Sequence, residues 1–331
     1  MENNSSHIRQ KKFTLGILIV NYNVGAYLRR CLESISSNVG DIDYVLSIVD
    51  NNSHDNSLEL LNELEIPMTI TRSGKNIGFG RGINLAAKAV EAEFFMILNP
   101  DTIVSNDIMS SLLSVLKSHP EVAVVGCPMI DSSNTVQAFS YELPSVMRTV
   151  ASLFNIKKFL ELPYVRSILG AVSWSRGVSS YLCKPVLDGS LRRVSCVPGS
   201  GFIIRAEDFR AIGGFDENIF LYMEDCDLFA RLLRSNRLIA LLHKTGIVHF
   251  VSKSFSTSFS SHSPLKHWST LYYFKKNEPW IRYAMVRIAF TLSFFGKCFF
   301  ITNRKSRSDL LKTLAISLKG PQSFNPFSDV N

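Results

Sequence analysis

The chain has 331 residues, 46% of them hydrophobic, enough for one large α/β domain with an appendage or for two domains. Its formal net charge is +8, but eleven Lys and Arg between 264 and 320 stand against only Glu278 and Asp309, so that stretch holds a surplus of nine and the remainder sits at −1. A near-neutral body with a basic end is not a uniformly basic nucleic-acid binder, and the polar opening MENNSSHIRQKK lacks the apolar segment of a secretory signal. Cys31, Cys127, Cys183, Cys196, Cys226 and Cys298 are scattered, with no C-x-x-C. That spacing argues against a zinc cluster and suits a reducing, cytoplasmic compartment.

In chain order, LGILIVNY (15–22) is a short apolar run with a polar end, the pattern of a buried strand. Helical spacing follows at Leu28, Cys31, Leu32 and Ile35 within 25–37. DYVLSIVDNNS (43–53) predicts a second strand and turn, 55–64 a helix with Asp55 as its N-cap, and MTITRS (68–73) a third strand. The glycine-rich GKNIGFGRGIN (74–84) opens a helix over 85–90, and EFFMILNPDT (93–102) is a fourth strand ending in an Asn-Pro-Asp turn. A helix is expected at 107–120. Repeated βα units of this length predict a doubly wound, mainly parallel sheet with ligands at the carboxyl ends of its strands.

The middle of the chain is less regular, with basic amphipathic helix patterns in SVMRTVASLFNIKKFLELP from residue 145. VSCVPGSGFIIRAEDF (194–209) reads as a strand interrupted by Pro-Gly-Ser-Gly, and KTGIVHF (244–250) as a last strand. WIRYAMVRIAFTLSFFGKCFF (280–300) is Phe-rich, and as a helix it aligns Arg282, Ser293, Lys297 and Arg304 on one narrow polar stripe. Its uncharged run between Arg287 and Lys297 is nine residues, too short to span a bilayer. A Phe-rich face with basic flanks fits a helix lying in the membrane interface; the alternative is a helix packed on the domain with solvated basic residues.

Each strand end carries polar residues that a fold alone does not demand. They are Asn21-Tyr22-Asn23, Asp50-Asn51-Asn52-Ser53, Lys75 and Asn76 in the glycine loop, and Asn99-Pro100-Asp101-Thr102. Together they suggest a nucleotide site, in which Asp50 could accept from a pyrimidine N3–H and Asp101 could hold a divalent metal. The glycines follow G-x-G-x-G (Gly78, Gly80, Gly82) after the third strand, a poor fit to a dinucleotide fingerprint. Ser53-His54-Asp55 is no hydrolase triad, because adjacent residues cannot converge on one reacting atom. In FDENIFLYMEDCDLFARLLRSN (215–236), Glu224, Asp225 and Asp227 enter a helix pattern. Acids in a first turn suit the helix dipole, and Asp227 can pair with Arg231. Asp225 is left without a structural task.

The ordered set VNYN, VDNNS, KNIGFGRGIN, LNPDT, GSGFIIR, GGFDENIFLYMEDCDLFAR and then His249 with Ser254 resembles the inverting family 2 glycosyltransferases of GT-A fold, in particular their bacterial rhamnosyltransferase branch, over roughly residues 14 to 260. The resemblance implies that Asp50 reads the nucleotide base beside Asn21, Tyr22 and Asn52. It places Lys75, Asn76 and Gly78 near the nucleotide and sugar. Asn99-Pro100-Asp101 stands where other members have Asp-x-Asp, which makes Asp101 a metal ligand and Asn99 a neutral replacement. Asp225 matches the catalytic base, with Glu224 beside it as a supporting or acceptor contact. His249 matches a metal-ligand His, although Ser252 stands where the family has Gly.

Residue patterns and resemblance together predict an order of parts. A flexible tail at 1–12 would precede a GT-A domain at 13–260, whose 13–135 part binds the nucleotide sugar and whose 190–260 part serves acceptor and catalysis. A basic amphipathic, helical, membrane-associating appendage would occupy 261–331. The activity would be metal-dependent (Mg²⁺ or Mn²⁺) inverting transfer from dTDP-rhamnose, or from a UDP-sugar, to a polyprenyl-diphosphate-linked saccharide in O-antigen or cell-surface polysaccharide synthesis. It would take place at the inner face of the cytoplasmic membrane, with no nucleic-acid partner. Two other classes stay open: a non-catalytic nucleotide-sugar-binding scaffold, and a nucleotidyltransferase, which would carry a basic glycine-rich loop at the first strand instead of VNYNVGAYL.

Overall fold

The computed structural model describes residues 11–61, 64, 66–105, 107–138, 140–154, 186–188, 190–243, 246–250, 263–298 and 304–328. Residues 1–10, most of the second amphipathic pattern after 154, and Ser252 and Ser254 lie outside the described residues. The chain divides into two compact units, one from 1–142, 186–220 and 224–257, the other from 143–185, 221–223 and 258–331.

The first unit begins with β1 (Lys12–Asn21), α1 (Gly25–Asn38), β2 (Tyr44–Asp50) and β3 (Met68–Arg72). β1 reads as a continuous apolar run because both of its faces are covered: Leu15 through Ile19 is buried throughout, and Leu28, Cys31, Leu32 and Ile35 of α1 pack on Leu15, Ile17 and Ile19. Next come α2 (Phe79–Lys88), β4 (Glu91–Leu98), β5 (Thr102–Ile103), α3 (Ile108–Ser118), β6 (Val122–Gly126), β7 (Met129–Ile130) and β8 (Val136–Ala138). The helix expected at 85–90 starts earlier, inside the glycine stretch, because α2 lies tightly on the sheet. A Cβ at Gly82 would come within 2.6 Å of Val20 Cγ2.

The helix expected at 55–64 does not form among the described residues, which hold a single 3₁₀ turn, Glu59–Leu61. Asp55 is spent elsewhere. Its carboxylate accepts from Gly25 N at 3.0 Å, capping α1, where Val24 offers no side-chain cap. It also accepts from Ser57 N at 3.1 Å.

The later elements of this unit are β9 (Val186–Asp188), β10 (Leu191–Val194), β11 (Gly201–Arg205), α5 (Ala206–Ala211), α6 (Glu224–Arg234), β12 (Leu238–Leu242) and β13 (Ile247–His249). The main sheet runs β3-β2-β1-β4-β11-β6-β12-β10-β9. It is mixed rather than mainly parallel. β3-β2-β1-β4 is parallel, β11 enters antiparallel between β4 and β6, β12 is parallel to β6, and β10 is antiparallel to β12 and β9. A smaller sheet, β5-β13-β7-β8, sets His249 opposite Thr102.

The second unit contains α4 (Val146–Leu153), α7 (Pro264–Asn277), α8 (Trp280–Cys298) and α9 (Arg304–Lys319). Trp268 Nε1 donates to Pro321 O, and the His267 ring lies edge-on to Phe290 and Phe294 of α8. Arg287 of α8 donates to Ser317 O and Leu318 O, satisfying carbonyls at the end of α9.

The polar stripe expected along α8 does not face outward. Ser293 is buried and donates to Leu153 O, and the Lys297 ammonium lies over the Phe294 ring. Only Arg282 of that set is strongly exposed, and the side chain of Arg304 lies outside the described residues. The outward face is instead apolar, made of Ile281, Met285, Ile288, Leu292 and Phe295, each 48–60% exposed. Among the described residues no helix is long and apolar enough to cross a membrane.

Candidate active site

The carboxyl ends of β2, β1 and β4 lie side by side and gather the polar strand ends on one rim. Asn21 and Asp50 are register partners, and both are buried. Asn21 Nδ2 donates to Asp50 Oδ1 at 2.9 Å and to Ser53 Oγ at 3.0 Å, while Ser53 N donates to Asp50 Oδ2 at 3.1 Å. Asn21 Oδ1 and Asn51 Oδ1 are buried with no hydrogen-bond partner among the described residues. Tyr22 is half-buried beside them, Asn52 is exposed in a left-handed conformation (φ 65°), and Lys75 is exposed. The loop before α2 is fastened from both sides. Asn76 Oδ1 accepts from Gly78 N, Asn51 Nδ2 donates to Gly78 O, and Phe79 N donates to Phe220 O. Gly78 has φ 83°, and a Cβ there would lie 2.4 Å from Phe220 O, so only glycine fits.

The Asn-Pro-Asp turn follows β4. Asn99 N donates to Ser200 O at 2.9 Å, and Asn99 O accepts from Thr102 Oγ1 at 2.7 Å. Asp101 is buried, and its Oδ1 has no hydrogen-bond partner among the described residues. His249 Nε2 stands 3.4 Å from that oxygen, and Phe250 N donates to Asp101 O. Among the described residues no group of three or more His, Cys, Asp or Glu is placed to hold a metal ion by itself. The orphaned Asp101 oxygen and His249 Nε2 beside it fit a hard divalent cation that would take its other ligands from a diphosphate and water.

The acidic residues open α6. Asp227 is buried and ion-paired to Arg231 at 2.8 Å, the i,i+4 pair its spacing suggests. Glu224 is buried, its Oε2 unpartnered among the described residues, and burial together with the neighbouring Asp225 charge pushes its carboxyl up to about 8. Burial also raises Asp225, opposed by hydrogen bonds from the Tyr141 hydroxyl and from Cys226 N. The turn Pro198–Gly201 passes directly against this carboxylate: a Cβ at Gly199 would lie 2.7 Å from Asp225 Oδ2. One short turn therefore touches Asp225 through Gly199 and the Asn-Pro-Asp segment through Ser200.

Ser53 and Tyr141 join the site without a role assigned to them from the sequence. Ser53 could have been found as the last of the polar residues after β2. Tyr141 carries no signal, because it meets Asp225 across 84 residues of chain.

The profile of Glycosyl transferase family 2 matches residues 16–175. The chain is 26% identical over 269 residues to the N-acetylglucosaminyl-diphospho-decaprenol L-rhamnosyltransferase of Mycobacterium tuberculosis (strain ATCC 25618 / H37Rv), spanning 77% of this chain and 82% of that protein. It is 26% identical to Rhamnosyltransferase WbbL of Escherichia coli (strain K12), over 74% of this chain and 88% of that one. Among solved structures it resembles S. aureus TarS 1-349 in complex with UDP-GlcNAc (TM-score 0.55, 12% identity, 92% of this chain and 81% of that one). It also resembles the mannosyltransferase PcManGT of Pyrobaculum calidifontis in complex with GDP-Man and Mn2+ (TM-score 0.53, 12% identity, 94% and 76%). At such identity these two likenesses establish the GT-A-like α/β fold and nothing finer. With the profile match, the two rhamnosyltransferase relatives and the fold in agreement, residues 16–175 carry a family 2 glycosyltransferase domain and the chain is a glycosyltransferase.

Proposed function

We propose that this enzyme transfers L-rhamnose from dTDP-rhamnose, with inversion, to a lipid-diphosphate-linked saccharide, in the synthesis of an O-antigen or related cell-surface polysaccharide. The observation that carries the reaction type is the Pro198–Gly201 turn, which joins the Asp225 carboxylate to the Asn99–Asp101 segment. Inverting transfer needs one carboxylate to take the acceptor hydroxyl's proton as it attacks the anomeric carbon, and Asp225 has that place. Glu224, whose carboxyl is pushed up by burial and the Asp225 charge, contacts the acceptor or supports Asp225. The 13–135 part binds the donor and the 190–260 part holds the base and acceptor.

Asp50, held by Asn21 and Ser53, accepts from the pyrimidine N3–H, with Tyr22 and Asn52 beside the base. Asn76, Gly78 and Lys75 line the phosphates and sugar, and Asn99 meets the donor. Asp101 and His249 would hold Mg²⁺ or Mn²⁺, which supplies charge neutralisation to the departing diphosphate. The names of the two rhamnosyltransferase relatives support the sugar, and one of those names, N-acetylglucosaminyl-diphospho-decaprenol, supports a lipid-diphosphate acceptor.

Such an acceptor lies at a membrane, and α8 offers the matching surface. Ile281, Met285, Ile288, Leu292 and Phe295 recur at steps of four and three, forming an apolar face roughly 21 Å long at ~1.5 Å per residue. Between Glu278 and Asp309 the chain has six Lys or Arg and no acid, a single-signed charge that favours an anionic leaflet. The enzyme thus works peripherally on the cytoplasmic face. Flotation with phosphatidylglycerol vesicles tests this: wild type should float, and Ile288→Asp/Leu292→Asp should remain at the bottom.

The deciding experiment is nucleotide release from a panel of nucleotide sugars, with a short-chain lipid-diphosphate GlcNAc as acceptor. dTDP release with dTDP-rhamnose alone supports the proposal. UDP release with a UDP-hexose replaces the donor, and no turnover with tight dTDP binding returns the scaffold reading.

A further inference from the structure

Tyr141 lies three residues beyond β8 and is held there by two ties. Its N–H donates to Cys196 O at 3.3 Å in an isolated antiparallel bridge, and Glu142 accepts from Ser195 Oγ at 3.1 Å. Residues 195–196 lead straight into the Pro198–Gly201 turn, so the strap 141–142 and the glycine turn are anchored to the same piece of chain. From that anchor the Tyr141 hydroxyl reaches Asp225 Oδ2, while Cys226 N holds Oδ1 at 2.7 Å. Gly199 lies against the same oxygen, where a Cβ would come within 2.7 Å of Oδ2.

We propose that Tyr141 is the positioning residue of the catalytic carboxylate, its phenol fixing Asp225 Oδ2 in the orientation that receives the acceptor's proton. This rests on the reading of Asp225 as the base. A carboxylate oxygen has two lone-pair sites. The phenol occupies one on Oδ2, and the other is left for the acceptor hydroxyl. In the transfer the acceptor's proton goes to Asp225 and the phenol keeps its own. Tyr141 is suited to that constant role: the residue is 36% exposed, but desolvation at its hydroxyl and the adjacent Asp225 charge raise its ionisation above the usual phenol range. It remains a donor at every working pH.

The hydrogen bond has a second consequence. Glu224 and Cys226 on α6 and the Tyr141 phenol bear on the carboxylate, and Cys196 bears in turn on Cys226 and Tyr141. Burial opposes ionisation of Asp225, and the phenol is the side-chain donor that counters it most. A phenol donating to an ionised carboxylate makes a charge-assisted bond. Removing it leaves the base protonated to a higher pH but intrinsically stronger once ionised. A purely structural tyrosine would leave the pH profile in place.

The test is the pH dependence of kcat/KM for Tyr141→Phe, with dTDP affinity measured alongside as a check on folding. The acid limb should move to higher pH. The ratio of wild-type to variant kcat/KM should fall by roughly tenfold between about pH 6 and about pH 9, with dTDP affinity unchanged within about twofold. A loss equal at all pH values, or no change, overturns the proposal. If Tyr141→Phe loses dTDP binding, 3,5-difluorotyrosine at 141 replaces it: it keeps the shape with a stronger donor and should move the limb to lower pH. An unmoved limb then refutes the idea. Asp225→Asn, run in parallel, separates the two readings. If it stays active, the base assignment fails; if it is dead while the Tyr141 limb is unmoved, only the Tyr141 proposal fails.

Discussion

Asn21 and Asp50 close two neighbouring parallel strands in register, and the Asn21 amide donates to the Asp50 carboxylate at 2.9 Å. Both residues are buried, and Ser53 N makes the other contact to Asp50. The pairing aims a carboxylate out of a strand end while keeping it satisfied. Asn21→Ala removes a bond to a charged group, so unfolding stability should fall by about 1.5–3 kcal/mol. On the proposed reading of Asp50 as the group that meets the nucleotide base, dTDP and UDP affinity should fall with it. Urea melts and nucleotide titration check the two effects. A variant with wild-type stability but weak nucleotide binding would show that Asn21 touches the nucleotide directly.

With Asp225 as the proposed base, Gly199→Ala isolates its placement from stability. Gly199 has no left-handed backbone demand, and the first atom its Cβ would meet is the end of the Asp225 side chain. The carboxylate would swing away at little cost to the fold. We expect kcat to fall by about a hundredfold, the order associated with a misplacement of ~1 Å, with the melting temperature nearly unchanged. Equal loss of stability and activity would mean that the turn itself is disrupted.

The legible parts of this molecule are those whose signal is local. Apolar runs such as Leu15–Val20 become buried strands, and the polar residues after them collect on one rim because parallel strands share an end. Pairing direction is not local. Gly201–Arg205 reads as a strand in any sheet, and only its partners β4 and β6 make it antiparallel. Asp55 suits the N-cap of its own segment, yet its carboxylate caps α1 thirty residues earlier. The polar residues of α8 line up in the sequence, whereas its orientation is set by Val286, Ala289, Phe290, Ser293 and Phe294 turning inward together. The short buried runs Val122–Gly126 and Leu238–Leu242 do carry a strand pattern, but a weak one beside the stronger helix signals that flank them.

Asp101→Asn tests the cation site without relying on turnover. If Asp101 and His249 are the two protein ligands, as proposed, binding of the cation should depend on a diphosphate to supply the rest. Mn²⁺ binding followed by electron paramagnetic resonance should be weak alone and strengthened by dTDP or UDP in wild type. In Asp101→Asn that strengthening should drop by at least about tenfold. EDTA should abolish turnover, and Mg²⁺ or Mn²⁺ should restore it. Undiminished nucleotide-linked Mn²⁺ binding in the variant would place the cation elsewhere.

Glu224 makes a stability prediction with a definite sign. Its carboxyl is pushed up to about 8 in the folded protein by burial and by Asp225, against an ordinary carboxyl value of 4.5. Between those values the folded chain holds a proton that the unfolded chain has released, so stability falls as pH rises. This contribution is fully present below the unfolded value and is lost by the time pH passes the folded one. Glu224→Gln keeps the shape and cannot ionise, so it escapes that loss. The variant should therefore gain on wild type across the window from about pH 4.5 to about pH 8, by more than ~1 kcal/mol in total. Urea unfolding at several pH values measures it. Two parallel stability curves would mean that Glu224 ionises in the folded protein as it does in the unfolded one.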